Sequence, residues 1–556
     1  MRSGRGIHSL GSDRTATALL ALAVAASVGF LLSLASRLSF IADDWELLVK
    51  RPGFSSSSLL DPFHQHLVLA PALIYKALLA TFGMGSALPY FVVSIAFFAL
   101  TAVLLYVYLR RRVGAWLALL AVLPLLFLGA AYEDLLWAFQ VGFFGATAAG
   151  MGMLVALDRE DRLGDRIACL LLLVSLTFAS VGIPFAVAAV VDVAMGRRPR
   201  RRRAYVVVVP LVAYAAWWIG WGHTAEDSTS LENLYHLPQY VFDAAASGIG
   251  SLLGRNPVDV HNPGHPSLIF RLLLVAGLLA ATARVVRLRR IPRGLAVALA
   301  LGLAFWGLAA LNANFTRVPI VSRYQYPSAL FLLLIAAEAV RGVRITRLVM
   351  ATLALVGAVA VMGGFALLRG ESKNWEAMGD GARATLAAIE IAGERVRPDF
   401  PILVEGSTFS DREYTDAVRK YGTPAYDEAD LLAHPDPYGE IADRFLLSAQ
   451  RISLRPPVAA PARRCQEVRI PKNQAAAALA LEPSRLQLGN PGSRPVEVLI
   501  GRFSEEPTTD LGKLAAGARR SLSIPADSSP RPWRLSFTGT GRVRLCSAQP
   551  ARPAAG

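Results

Sequence analysis

Long apolar runs dominate the first two thirds of the chain, and short clusters of arginine separate many of them. A helix needs about 20 residues to cross roughly 30 Å of hydrocarbon, and somewhat fewer where its ends snorkel or a neighbouring helix continues the path. Nine runs meet this condition, at about 16–36, 88–109, 113–131, 137–157, 205–221, 268–284, 294–311, 326–340 and 348–368. A tenth, 167–195, is too long for one ordinary span and carries Ser180-Val181-Gly182-Ile183-Pro184 at its middle, so it predicts two short spans joined by a turn. The pattern predicts a polytopic α-helical membrane protein with about eleven transmembrane helices, nine plus these two.

The charges give this count a direction. Arg2, Arg5 and Arg14 precede the first run, and later clusters follow every second one: Arg110-Arg111-Arg112, the mixed Asp158 to Arg162, Arg197 to Arg203, Arg284 to Arg293, and Arg341/Arg344/Arg347. The positive-inside rule places all of them in the cytoplasm. It does so only if the moderately apolar stretch from His66 to Gly83 lies along the outer surface instead of crossing. External loops then fall at about 38–87, 131–137, 222–267 and 312–325, and an odd number of crossings leaves everything after residue 370 extracytoplasmic. The longest loop contains an interfacial helix, Leu231 to Leu253, with His236, Gln239 and Asp243 as its polar set; it is a candidate lid, and its tail, His261 to His265, reads as a turn.

Composition agrees. The 54% hydrophobic content and mean hydropathy of +0.42 exceed what a soluble core requires. An excess of 57 Lys and Arg over 41 Asp and Glu would also suit nucleic acid, but here the bases sit at span ends, which argues for topology and against nucleic acid. Residues 371–452 read as a helical and mixed connection with a short strand at Ile402-Leu403-Val404. Between 453 and 556, runs such as Val496 to Ile500, Trp533 to Phe537 and Val543 to Leu545 alternate with Gly, Pro and Ser, which predicts an extracytoplasmic β-sandwich. Cys465 and Cys546 are its candidate disulfide, while Cys169 lies in an apolar run.

Polar residues with chemical potential gather in the predicted external loops. Asp43-Asp44-Trp45-Glu46 follows the first span at a depth that aromatic residues favour. Adjacent carboxylates repel, which suits a general base for a hydroxyl, a shared divalent cation, or simply a solvated acidic loop. His64 and His66 form a His-x-His pair that two ligands alone do not make a metal site; hydrogen bonding or phosphate contact is the alternative. Tyr132-Glu133-Asp134 supplies a second acidic turn, as a site or as a cap on the following helix. Arg317 and Arg323-Tyr324 sit on the wrong side for the positive-inside rule and need a partner, either a lipid phosphate or one of these carboxylates.

This order of features resembles the GT-C superfamily of polytopic membrane glycosyltransferases over about the first 370 residues. The resemblance rests on Asp43-Asp44 after the first helix, the His- and Pro-containing surface segment His64 to Gly83, Glu133 or Asp134 in the second external turn, and Arg323-Tyr324 before a late helix. It implies a catalytic membrane domain over 1–370 that transfers a sugar from a polyprenyl-phosphate carrier to an acceptor hydroxyl, with inversion. In that reading Asp43 or Asp44 is the base, Glu133 and Asp134 are catalytic carboxylates, and Trp45, His64, His66, Tyr132, Arg317, Arg323 and Tyr324 bind substrate. Asp-Asp-Trp departs from the Asp-Glu of the protein-mannosylating members, which favours a cell-wall glycan or glycolipid acceptor at a bacterial plasma membrane. Two other readings stay open: a transporter or flippase, which predicts ionisable groups at the bilayer midplane, and a non-catalytic protein presenting the exported β-domain.

Overall fold

The computed structural model describes every residue except 1–4, 226–229, 260–261, 458–463, 472–474, 477, 548–551 and 554–556, so Arg2 and His261 lie outside the described residues. The chain divides into two units. The first comprises Met1–Leu38, Arg51–Phe82 and Ala87–Glu376, and the second Ser39–Lys50, Gly83–Ser86 and Ala377–Gly556.

The first unit is helical: α1 (Arg5–Ala35), α2 (Ser56–Leu60), α3 (Leu69–Phe82), α4 (Leu88–Val113), α5 (Ala115–Leu126), α6 (Tyr132–Leu135), α7 (Val141–Leu157), α8 (Arg162–Phe178), α9 (Gly182–Met195), α10 (Arg200–Arg203), α11 (Tyr205–Gly220), α12 (Leu231–Leu252), α13 (Leu268–Leu288), α14 (Arg293–Leu311), α15 (Gln325–Val340) and the start of α16 (Arg347–Ala392). A small hairpin, β1 (Val258–Asp259) and β2 (Asn262–Pro266), follows α12. Sequence signals set these boundaries. Gly114, with φ of 87°, reverses the chain between α4 and α5, and the Asp161 side chain caps α8 by accepting the Gly164 N–H at 2.6 Å.

Among the described residues six helical segments are long and apolar enough to cross a membrane, and α5 with the turns to Leu135 makes a seventh, bent by 44°. The remaining predicted spans are short, α8, α9, α11 and α15 having 17, 14, 16 and 16 residues.

Ion pairs gather one end of these helices onto a single basic face. Arg112, at the end of α4, grips Asp158 at the end of α7 through two 2.9 Å bonds and reaches Glu338 near the end of α15 through Nε. Arg203 is buried and donates to Asp165 of α8 and Asp192 of α9, each at 3.0 Å. Arg293, at the start of α14, donates to Asp192 at 2.7 and 3.0 Å and to Glu160 at 2.6 Å, and Arg284 reaches the Arg341 carbonyl. Such forked, charge-assisted bonds fix orientation as well as contact. Arg112, Arg203, Arg284, Arg293 and Arg341 thus gather at one end of the bundle.

The opposite face is tied by neutral bonds. Trp217 Nε1 donates to the Leu60 carbonyl at 2.8 Å, Asn233 Nδ2 to that of Leu311 at 2.8 Å, and Ser251 Oγ to Gln325 Oε1 at 2.9 Å. The last two bonds hold both ends of α12 at this face, so it lies along the face. Its Asp243, however, is not open to a site: it is buried and paired with Arg271 at 2.8 Å and His265 at 2.9 Å. Before α3, His66 bonds Ser180, and within it Lys76 Nζ donates to the Arg51 carbonyl at 2.6 Å, while Arg51 in turn donates to Asp61 and Pro62. At 14 residues, about 21 Å, α3 is as short as α9.

In the second unit the rest of α16 leads to a hairpin of β3 (Pro401–Val404) and β4 (Ser407–Ser410), then α17 (Asp411–Tyr421), α18 (Glu428–Ala433) and α19 (Glu440–Ala449). Two antiparallel sheets follow: β5 (Arg464–Ile470), β7 (Ser484–Gly489), β10 (Arg519–Ile524) and β12 (Gly541–Ser547) in the order β10-β7-β12-β5, and β6 (Leu479–Leu481), β8 (Val496–Gly501), β9 (Thr509–Leu514), β11 (Trp533–Thr538) and β13 (Arg552–Pro553) in the order β13-β6-β11-β8-β9. Leu486 and Leu488 flank half-buried Gln487, Val543 and Leu545 flank exposed Arg544, and Val496 and Val498 flank exposed Glu497, while on β11 Ser536 is buried together with Leu535 and Phe537. Cys465 and Cys546 are register partners on β5 and β12 and form a disulfide. Asp443 on α19 accepts the backbone N–H groups of Arg502, Phe503 and Ser504 at 2.8 to 3.1 Å, which fastens that helix to the end of β8.

Candidate functional site

The site in the first unit is built on glycine. A Cβ on Gly364 would stand 1.7 Å from the Phe127 carbonyl oxygen, and one on Gly129 2.3 Å from that of Gly364. Bare backbone at both positions lets α16 press against the turn that follows α5. On a helix, positions i, i+3 and i+7 share a face, so this contact aligns Leu367 and Glu371 with the 129–133 turn. The turn also binds the segment before α15. Ser322 Oγ donates to the Ala130 carbonyl at 2.7 Å and accepts the Glu133 N–H at 3.1 Å.

Between these elements lies a cavity of about 170 Å³, lined by Gly129, Ala130, Tyr132, Glu133, Asn256, Pro257, Val258, Val318, Ile320, Val321, Ser322, Leu367 and Glu371. Of the expected site residues it receives Tyr132 and Glu133. Glu371 was not expected: it follows the last span, and its only sequence signal is its seven-residue spacing from Gly364.

Arg323 sits against the acidic turn. Its N–H donates to Glu133 Oε2 at 3.2 Å, its Nη1 lies 3.6 Å from the same oxygen, and its Nη2 donates to the Thr316 carbonyl at 2.7 Å. The guanidinium sits 5.8 Å from the centre of the Tyr324 ring. Glu133 is thus a neighbour and backbone hydrogen-bond partner of Arg323. Burial pushes the Tyr324 hydroxyl up, with Arg323 and Arg317 pulling the other way. The Arg317 carbonyl accepts the Tyr240 hydroxyl at 3.0 Å, which places the arginine loop against α12.

Asp134 does not share the cavity. It is completely enclosed and faces the backbone N–H of Tyr326 in the first turn of α15, the favourable end of that helix for a carboxylate. Neither of its oxygens makes a cap hydrogen bond, and α15 has no side-chain cap.

His66 and His64 also part company. Ser180 Oγ donates to the Gln65 carbonyl at 3.1 Å, so its short 2.7 Å contact with His66 Nδ1 requires Nδ1 to carry the proton. Burial, with His64, Arg317 and Arg323 adding repulsion, lowers the His66 pKa to about 4, and the ring is neutral at physiological pH. His64 is exposed, with a positive φ of 49° and its ring 4.3 Å from that of Phe63. Among the described residues no three His, Cys, Asp or Glu side chains are grouped to hold a metal ion.

The Asp43-Asp44-Trp45 cluster belongs to the second unit. Asp44 is buried and its Oδ2 accepts the Ile41 N–H at 3.1 Å, closing the turn it sits in, whereas Asp43 keeps partial exposure. Trp45 is fully buried, with its ring 6.1 Å from that of Phe40 and 5.4 Å from that of Phe409. It is a core residue of this unit, which corrects the expectation that it binds substrate: no face of the indole is left for a sugar.

No family model matches the sequence, and no curated protein sequence matches it. Among solved structures, the chain is similar to the crystal structure of ArnT from Cupriavidus metallidurans bound to undecaprenyl phosphate, with a TM-score of 0.46 and 16% identity over 74% of this chain and 90% of that one. The apo state of the same protein gives a TM-score of 0.46 and 14% identity over the same shares.

Proposed function

We propose that this protein is a GT-C-like membrane glycosyltransferase that moves a sugar from a polyprenyl-phosphate carrier to an acceptor hydroxyl on the outer side of a bacterial plasma membrane. The single observation that carries the reading is the gathering, on the face opposite the basic clusters, of the acidic turn at Glu133, the Arg323-Tyr324 element and a cavity large enough for a small polar group. Glu133 and Arg323-Tyr324 are two of the features on which the GT-C resemblance rests, and they lie far apart in sequence. A helical bundle that passed solute would instead concentrate ionisable groups midway along its spans; here Asp192 and Glu338 are consumed in ion pairs at the basic face.

In the proposed reaction a carboxylate takes the acceptor hydroxyl proton, the oxygen attacks the anomeric carbon, and the bond from that carbon to the phosphate oxygen breaks with inversion. The polyprenyl phosphate leaves with the electron pair. Asp43 or Asp44 is the base in this reading, and Asp43 keeps the greater exposure. Arg323 would exchange Glu133 for the departing phosphate, a step that stabilises charge as it develops. Eleven crossings, with the second unit extracytoplasmic, complete the reading, and a cell-wall glycan or glycolipid is the acceptor class.

Comparing lipid-linked sugars and surface glycans in cells with and without the protein tests this. The expected result is accumulation of a polyprenyl-phosphate sugar and loss of one glycan feature in its absence; unchanged profiles of both would reject the proposal.

A further inference from the structure

The cavity beside Glu133 has a lining whose chemistry selects its occupant. Its ionisable groups are Glu133, Glu371 and Tyr132, with no Lys, Arg or His among the lining residues. The nearest guanidinium described above, that of Arg323, is already held by Glu133 and the Thr316 carbonyl. Within the lining a phosphate would meet carboxylates and no cation, Arg323 lying outside it. Hydroxyl groups would meet acceptors: a carboxylate offers about four acceptor positions, and Glu371 uses one oxygen on the Asn374 amide at 3.1 Å. Asn256 and Ser322 add neutral polar groups, while Val258, Ile320 and Leu367 give an aliphatic wall suited to the C–H face of a sugar ring.

We infer that this cavity is a pocket for a neutral sugar ring, with Glu371 as the residue that positions it by accepting two hydroxyl hydrogen bonds. The inference rests on the glycosyltransferase reading for its place in a reaction, but the pocket and its ligand class stand on the lining alone. It separates sugar recognition at Glu133 and Glu371 from phosphate recognition, which must then use groups outside this cavity. Glu371 is carried to the pocket by the Gly129–Gly364 contact, so the positioning is set by backbone packing and not by a loop.

The test is saturation-transfer NMR on the full-length protein in lipid nanodiscs, with methyl β-D-glucopyranoside and methyl α-D-arabinofuranoside as probes. At least one probe is expected to bind, with an apparent Kd raised tenfold or more in Glu371→Gln and Glu371→Ala, partly restored in Glu371→Asp, and unaffected by excess inorganic phosphate. Thermal unfolding of each variant is measured alongside, and only variants that unfold with the wild type are compared. No binding of either probe, equal binding in wild type and Glu371→Gln, displacement by phosphate, or a requirement for added Mg²⁺ would each overturn the inference. Transfer activity that is insensitive to Asp43→Asn would defeat the catalytic reading and leave this binding result standing; transfer without Glu371-dependent binding would do the reverse.

Discussion

Replacing His66 by Asn should remove a pH dependence from the stability of the first unit. The neutral ring donates from Nδ1 to Ser180, and its pKa stands at about 4 against an ordinary 6.5. The unfolded chain therefore binds a proton below pH 6.5 that the folded chain refuses until about pH 4, so stability falls as pH drops through this window and levels off beneath it. The full shift corresponds to about 3 kcal/mol; because the side chain is only half-buried by accessible surface, about 1–3 kcal/mol is the expected loss. Asn keeps a donor near the Nδ1 position and cannot be protonated. Thermal unfolding of both proteins between pH 7.5 and 4, followed by intrinsic fluorescence, should show the wild type losing stability relative to the variant on acidification. A difference between the two that stays constant across this range would refute the assignment of a neutral, Ser180-bound His66.

On the basic face, Arg112→Ala leaves Glu338, whose side chain is 0% exposed, without its main partner, and should cost about 3–5 kcal/mol in thermal or denaturant unfolding, where a loss under 1 kcal/mol would show that the cluster is not the clamp described. Gly364→Ala should prevent close packing of α16 on the 129–133 turn and abolish accumulation of folded protein, measured by size-exclusion after extraction, whereas Gly370→Ala, whose added methyl meets nothing within 4 Å, should be tolerated. Reduction of the Cys465–Cys546 bond, which closes a separation of 81 residues, should lower the unfolding temperature of the β-domain by an amount equivalent to about 2–5 kcal/mol, read by limited proteolysis with and without reductant. Asp443→Ala should leave three backbone N–H groups without their acceptor and speed proteolysis between α19 and β9.

Much of the scaffold was legible because bilayer crossing imposes length and apolarity directly on sequence, and arginine clusters report which ends go together. The pairing of Arg112 with Asp158 and of Arg293 with Asp192 realises that asymmetry as geometry. The candidate site was legible only by type. Asp43 and Asp44 are adjacent and chemically alike, and their different environments come from a turn closed by Ile41. Trp45 reads as an interfacial aromatic until Phe409, a distant residue, covers it. Charge alone offers Arg323 either a phosphate or a carboxylate, and its approach to Glu133 follows from the Ser322 bonds to the 130–133 turn, which join residues about 190 apart in sequence. Glu371 was hidden because its role depends on two glycines meeting across the fold, a contact no local pattern encodes.

The central claim is transfer from a lipid-phosphate donor by a carboxylate base, and it is tested most directly by purified wild type, Asp43→Asn and Asp44→Asn incubated with radiolabelled polyprenyl-phosphate sugars and a membrane glycolipid fraction. Wild type is expected to move label from donor to acceptor, Asp43→Asn to lose at least a hundredfold of that rate while unfolding at the wild-type temperature, and Asp44→Asn to be lowered in stability first. Equal transfer by wild type and Asp43→Asn would contradict it.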